Sequence, residues 1–168
     1  MQIDYNFWMR LALEEAERAM QNGEIPVATI ILANGKEVTR SQTQVARHGG
    51  NLSAHGELLA ILGLEGRIWA LERPLVLITT LEPCLMCLGA AMQVAIDEIV
   101  YGMDAAPDGG SQFADAIIRG GQKPPKITPH VLEEECLAQM KRLPQVHPNH
   151  GAIDYVKAML AAYEVRKR

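Results

Sequence analysis

The sequence predicts an α/β fold in three layers, with helices packed on both faces of a central sheet. Two short, β-branched apolar runs, residues 27–32 and 75–81, have the composition of buried strands. Asn34-Gly35, directly after the first run, is a strong signal for a hairpin turn. Predicted strands and helices then alternate along the chain, which is the pattern of α/β architectures.

The first part of the chain contains a helix, a hairpin and a second helix. Asp4 can cap the first helix, which we expect to run to about Asn22. The hairpin pairs the first apolar run with a more polar strand at residues 37–45. A glycine-rich loop follows, and Ser53 can cap the next helix, expected at residues 54–64.

The remaining elements follow the second apolar run. Pro83 can occupy the first position of a helix that reaches about Ala95, because proline lacks the N–H that this position leaves unpaired. A fourth strand is expected at residues 96–101 and a short fifth strand around Ile127. A helix at residues 132–142 and a final helix complete the chain.

Composition limits the class of protein. The chain has 168 residues, 48% of them hydrophobic and 21% charged, so we expect one domain over residues 1–168, with residues 145–168 as a C-terminal helical extension. No apolar run is long enough to cross a membrane, and no signal peptide is expected. The three cysteines, two of them in one C-x-x-C, favour a reducing, cytoplasmic setting over a disulfide framework. The net charge of −4 provides no field that attracts nucleic acid.

Two short stretches carry candidate chemistry: Ala54-His55-Gly56-Glu57 and Glu82-Pro83-Cys84-Leu85-Met86-Cys87. One imidazole and two thiolates form a three-ligand set for zinc, which keeps a fourth position for a water of lowered pKa. Both stretches lie at predicted helix starts, where the helix dipole favours thiolates. Glu57 can then act as general base and acid, although residues two apart on a regular helix point to nearly opposite sides.

Other interpretations of these residues stay open. The C-x-x-C alone also fits a redox pair or half of a structural zinc site. A structural site needs four ligands, and Cys136 or His48 are the candidates for the fourth. Cys136 lies among apolar residues and is expected in the core. His147-Pro-Asn-His150 looks like a ligand pair; such a stretch is more often a polar loop, and here it could close over a substrate.

Taken together, the motifs resemble the cytidine deaminase-like zinc hydrolases, whose signature is H-x-E followed by P-C-x-x-C. Residues 79–91 and 99–102 are similar to bacterial tRNA adenosine deaminases, in the branch that also holds guanine deaminases and fungal-type cytosine deaminases. The resemblance implies a mixed five-stranded sheet, a homodimer and hydrolytic release of a ring amine as ammonia. It implies one Zn²⁺ per subunit, with the ligands His55, Cys84 and Cys87, and Glu57 as the proton shuttle.

The chain departs from that branch in four places, one of which is Asn51-Leu-Ser where the branch usually has Asp-Pro-Thr before Ala-His. It has His-Gly-Glu where the branch usually has His-Ala-Glu. The base-binding Asn of the second strand has no clear equivalent, and Thr43 or Gln44 falls nearest. The tRNA branch has a basic residue before the fourth strand, where this chain has Ala95, followed by Asp97 and Glu98. Because RNA phosphates must be neutralised by cations, this difference disfavours an RNA substrate.

We therefore expect a zinc-dependent hydrolytic deaminase that removes the exocyclic amine of a small nucleobase or related amino-heterocycle, cytosine-, guanine- or triazine-like. A tRNA-specific adenosine deaminase is the alternative, with tRNA disfavoured by charge. The alternative of another class is a non-catalytic, zinc-stabilised interaction module. Candidate substrate contacts are Thr43, Gln44, Asp104 and Phe113.

Overall fold

The computed structural model describes residues 3–106, 108–116 and 123–166, and within these ranges it contains five strands and five α-helices. The strands are β1 (Ala28–Ala33), β2 (Lys36–Gln42), β3 (Leu75–Leu81), β4 (Glu98–Met103) and β5 (Lys126–Thr128). The helices are α1 (Tyr5–Gln21), α2 (Gly56–Leu62), α3 (Leu85–Gln93), α4 (Glu133–Val146) and α5 (Ile153–Arg166). Two short 3₁₀ turns occur at Arg67–Ala70 and Ser111–Phe113.

The five strands form one mixed sheet in the order β2-β1-β3-β4-β5. β1 pairs antiparallel with β2 and with β3, whereas β3, β4 and β5 are parallel to one another. The hairpin predicted at Asn34-Gly35 is confirmed. The parallel half places the end of β3 and the start of α3 at one edge of the sheet, where open α/β folds bind ligands.

Helices cover both faces of the sheet, as the three-layer prediction requires. Because side chains alternate along a strand, Ile30 and Leu32 of β1 face a buried cluster with α1, whereas Ile31 faces a second cluster beside α2 and α3. All six residues of β1 are buried. This two-sided burial explains why the strand is a continuous apolar run instead of an alternating one.

The C-terminal helices belong to the first of these clusters. Cys136 and Met140 of α4 and Val156 and Met159 of α5 are buried with the apolar face of α1. α4 continues to Val146, beyond the predicted end at residue 142. No helix in the described ranges combines the length and the apolarity needed to cross a membrane.

Candidate metal and catalytic site

His55 and Cys84 both lie immediately before a helix. His55 is the N-cap of α2, with φ −75° and ψ 147°, and Cys84 is the N-cap of α3, with φ −70° and ψ 171°. The predicted helix starts, at Ala54 and Pro83, are therefore each two residues too early, because both candidate ligands have extended backbone. Cys87 lies within the first turn of α3 and is fully buried. The two helix starts converge at one point, as predicted.

Three ligand atoms meet there. Nδ1 of His55 lies 3.7 Å from Sγ of Cys84 and 3.5 Å from Sγ of Cys87. Zn–N and Zn–S bonds of ordinary length at a tetrahedral angle separate nitrogen from sulfur by about 3.6 Å. The hydrogen bond with Cys87 lowers the pKa of Cys84 to about 4, so this thiol is readily available as a thiolate. The donor set and its spacing thus fit zinc, with one coordination position left open.

Glu57 lies beside these ligands, and the start of α2 explains how it reaches them. Since His55 precedes the helix and Glu57 is its second residue, the two-residue spacing on a regular helix does not apply to the pair. Glu57 is 3% exposed, and burial raises the pKa of its carboxyl to about 7. Within the described ranges Oε2 of Glu57 has no hydrogen-bond partner. A buried carboxylate oxygen without a partner costs free energy unless a donor arrives, which is what a substrate or water can provide.

The site opens into a cavity of about 1370 Å³, with His55, Glu57 and Cys84 in its wall. Beyond these three, its wall contains the loop after β2, the loop after β4, the start of α3, and the segment that joins α4 to α5. The cavity is larger than the roughly 300–1,000 Å³ typical of sites for small ligands. It therefore has room for more than a single ring.

Two buried carboxylates, which sequence reasoning did not single out as site residues, hold the loops of this cavity. Glu24 is 3% exposed and accepts hydrogen bonds from the backbone N–H groups of Ala46 (2.9 Å) and Arg47 (2.8 Å). Glu82 accepts from the N–H groups of Ala105 and Ser111, each at 3.1 Å, and from the Ser111 hydroxyl. In the sequence, the only indication of this role is that Glu24 and Glu82 each stand close to an apolar strand.

The histidine pair of the His147-Pro-Asn-His150 stretch attaches the C-terminal segment to the end of α1. Nε2 of His147 lies 2.6 Å from the carbonyl oxygen of Met20, and Nε2 of His150 lies 3.0 Å from that of Gly23. Nδ1 of His150 accepts the N–H of Ala152 at 3.0 Å, so its Nε2 carries the proton. Neither histidine lies in a described metal cluster, and both line the cavity.

The four candidate substrate contacts separate into two pairs. Thr43 is buried and Phe113 is 41% exposed, and both line the cavity. Gln44 lies outside that lining, since β2 ends at Gln42 and the chain then turns. Asp104 also lies outside it and accepts hydrogen bonds from Tyr101 and His130.

The remaining residues considered from the sequence take other positions. Tyr155 of α5, which sequence reasoning missed, lines the cavity, where burial and the nearby Asp108 raise the pKa of its hydroxyl. Cys136 is buried in the first core cluster, as expected, and among the described residues the cluster around the two C-x-x-C thiols contains neither Cys136 nor His48. The geometry is that of a three-ligand site, which differs from a closed structural zinc site.

Comparison with protein families and curated proteins gives consistent matches. A family model for the cytidine and deoxycytidylate deaminase zinc-binding region matches residues 2–103. The tRNA-specific adenosine deaminase of Buchnera aphidicola is 29% identical over 134 residues, 78% of this chain and 87% of that protein. The tRNA-specific adenosine deaminase of Bacillus subtilis is 30% identical over 137 residues, 77% of this chain and 81% of that protein.

Solved structures share the fold. A structure from a study of A-to-I editing by tRNA:A34 deaminases at the wobble position superposes with a TM-score of 0.66 at 28% identity, covering 79% of this chain and 98% of the other. A guanine deaminase from Nitrosomonas europaea superposes with a TM-score of 0.70 at 16% identity, covering 86% and 87% of the two chains. The second likeness is evidence for a common fold alone.

Proposed function

Since this chain belongs to the cytidine and deoxycytidylate deaminase family and is a zinc-dependent hydrolytic deaminase, we propose that its substrate is an adenine base in tRNA, which it converts to hypoxanthine. Adenosine in the RNA thereby becomes inosine, and ammonia is released. The relatives named as tRNA-specific adenosine deaminases support this substrate over the small heterocycle that the departures from the tRNA branch predict. The size of the cavity also supports a base that arrives with its ribose and neighbouring nucleotides.

The observation that carries the proposed mechanism is the unpartnered Oε2 of Glu57 beside the ligand atoms of His55, Cys84 and Cys87. His55, Cys84 and Cys87 would hold the zinc, which would lower the pKa of a water and so make it a nucleophile for the ring carbon that carries the amine. Glu57 takes up the first proton of this water and passes it to the ring nitrogen. It then takes up the second proton, from the hydroxyl now bound to the ring carbon, and passes it to the amine, which leaves as ammonia while the carbonyl forms.

A second candidate substrate is a free amino-heterocycle, and the charge of the cavity favours it. Among the described residues that line the cavity there is no lysine or arginine, whereas there are four acidic residues: Glu24, Glu57, Glu82 and Asp108. An RNA phosphate inside this cavity would find no cation to neutralise it. Free adenine, guanine or cytosine carries no phosphate and meets no such penalty.

The two substrates can be separated by one set of assays on the zinc-loaded protein. We expect inosine to form in an anticodon stem-loop RNA, measured by nuclease digestion and chromatography, with ammonia released in equal amount. Free adenine, guanine, cytosine and their nucleosides serve as the competing substrates. Turnover of a free base without turnover of the stem-loop would contradict the tRNA proposal, and a protein inactive on all of them would favour a non-catalytic zinc module.

We further propose that the chain forms a homodimer. Four apolar side chains of α2, α3 and the 3₁₀ turn between them are exposed: Leu62, Trp69, Leu85 and Met86. Exposed apolar surface of this kind supports pairing with a second copy of the chain, as the family resemblance implies. Analytical ultracentrifugation should give a dimer, and a monomer at micromolar concentration would contradict it. We also propose a reducing, cytoplasmic location, because Cys84 and Cys87 must stay reduced to bind zinc.

A further inference from the structure

A second, polar pocket of about 430 Å³ lies beside the catalytic cavity. Its described lining consists of Asn22, Glu24, Gln42, Gln44, Ala46 and Arg47. Glu24 and Ala46 line both spaces, so the two are neighbours that share one wall. We propose that this pocket binds the base and phosphate of a nucleotide next to the target adenosine in single-stranded RNA, an assignment that rests on the proposed tRNA substrate.

The shared wall is a fixed structure. The two oxygens of the buried Glu24 carboxylate accept the backbone N–H groups of Ala46 and Arg47, and the N–H of His48 donates to the carbonyl oxygen of Gln44 at 3.0 Å. The turn that separates the pocket from the cavity is therefore held from both sides. A ligand that occupies both spaces must pass over this turn, as a polynucleotide backbone with one base on each side can do.

The side chains of the pocket suit a nucleobase edge. Asn22, Gln42 and Gln44 each carry an amide with donors and acceptors, the groups that read base edges. Oε1 of Gln42 is buried and has no hydrogen-bond partner in the described part of the chain. Such an oxygen is stabilised when a donor reaches it, and the exocyclic amine or ring N–H of a base is a donor of the required size.

Arg47 supplies the charge that the catalytic cavity lacks. Arg47 is exposed and lines the polar pocket but not the cavity, and its guanidinium can bind a phosphate through two parallel N–H groups. A phosphate between the target nucleotide and its neighbour would lie over the shared wall, where Arg47 begins. The lack of cations in the cavity is then compatible with an RNA substrate, because the phosphate is bound outside it.

The pocket is also fixed relative to the metal ligands. A Cβ on Gly56, the first residue of α2, would lie 3.3 Å from the backbone carbonyl carbon of Gln42, so the two backbones are in close contact. His55 directly precedes Gly56. The distance between the pocket and the metal ligands is therefore set by backbone packing, as needed for two positions that read adjacent nucleotides.

The test compares Gln42→Ala, Gln44→Ala and Arg47→Ala with wild type, using Arg40→Ala as the matched control. Arg40 lies on β2, outside the pocket lining, where its guanidinium pairs with Glu37. The probe is a fluorescein-labelled anticodon stem-loop that carries inosine, the product, at the target position, and binding is measured by fluorescence anisotropy. Zinc content and melting temperature of each variant check that it is folded.

The contributions of phosphate and base can be told apart. Arg47→Ala should weaken binding about three- to tenfold for every neighbouring base and reduce the slope of log K against log salt by about 0.7. Wild type should bind stem-loops that differ only in the base at one neighbouring position with different affinities. In Gln42→Ala and Gln44→Ala these differences in affinity should shrink to about twofold or less, and the salt slope should stay that of wild type. Arg40→Ala should match wild type in both measurements.

The outcomes separate this inference from the proposed function. If wild type forms inosine in the stem-loop while all three pocket variants bind it like wild type, the neighbouring-nucleotide site is overturned and the substrate proposal stands. If wild type neither binds nor deaminates the RNA, both are overturned. Equal weakening by Arg40→Ala and Arg47→Ala would show general charge attraction instead of a site and would also overturn the inference.

Discussion

The carboxylate of Glu82 fills the space beside Gly109, because a Cβ on residue 109 would lie 2.0 Å from Oε2 of Glu82. Glu82 cannot simply move aside, since it is buried and accepts hydrogen bonds from Ala105 and Ser111. The residue before the Pro-Cys-x-x-Cys stretch thus holds the loop after β4 against the metal ligands, and Gly109 is the position that makes this contact possible.

Gly109→Ala is expected to displace this loop. Overpacking of a well-filled region typically costs about 1–3 kcal/mol, and here a buried carboxylate also loses hydrogen bonds. Thermal unfolding of the zinc-loaded protein should give a lower melting temperature, with kcat/KM reduced at least as strongly. Gly89→Ala on α3 is the control, because nothing lies within 4 Å of its added Cβ. An equal loss of stability in both variants would contradict the assigned role of the contact.

Glu57→Gln tests the proton shuttle. The amide keeps the shape of the side chain but cannot take up and return a proton, so kcat on the stem-loop should fall by about 10²–10⁴-fold. Zinc content should stay at one per chain, because the three ligands are unchanged. Glu65→Gln, an exposed position in the turn after α2, is the control and should keep wild-type turnover. Wild-type kcat in the zinc-loaded Glu57→Gln protein would remove Glu57 from the mechanism.

Cys87→Ser and Cys136→Ser compare two buried cysteines, only one of which lies in the metal cluster. Cys87→Ser should lose most of the bound zinc, measured by plasma mass spectrometry after dialysis, because a hydroxyl is a poor zinc ligand. Its melting temperature should fall to that of the chelator-treated wild type, since metal that binds the folded state stabilises it. Cys136→Ser should retain one zinc, and loss of zinc in that variant would point to a four-ligand site.

His150→Ala tests the attachment of the C-terminal segment to α1. The imidazole connects Gly23 with Ala152, and its removal should loosen the segment that joins α4 to α5. We expect faster amide hydrogen exchange in residues 147–155 and a several-fold higher KM on the stem-loop, with zinc content unchanged. His48→Ala, an exposed histidine outside the cavity lining, is the control. Unchanged exchange in His150→Ala would show that the segment is held by other contacts.

Local patterns were sufficient for the family, for the layered fold and for the three residues that form the candidate zinc site. The apolar run of β1, the Asn34-Gly35 turn and the Cys84-x-x-Cys87 spacing each involve neighbours in sequence, so single-sequence reasoning could recognise them. The same holds for the zinc-dependent deaminase class. The substrate prediction was weaker, because it was based on a few local departures from the tRNA branch, whereas the relatives that match this chain include tRNA-specific adenosine deaminases.

Tertiary structure decided what depends on residues distant in sequence. Glu24 accepts hydrogen bonds from backbone N–H groups that lie 22 and 23 positions further along the chain, and His150 contacts a carbonyl oxygen that lies 127 positions before it. Contacts over such distances leave no local pattern in the sequence. The direction of Glu57 also required the structure, since it depends on the extended backbone of His55. The sequence by itself thus determined which atoms can bind zinc. Packing between distant segments decided which side chains surround these atoms and which segments line the cavity.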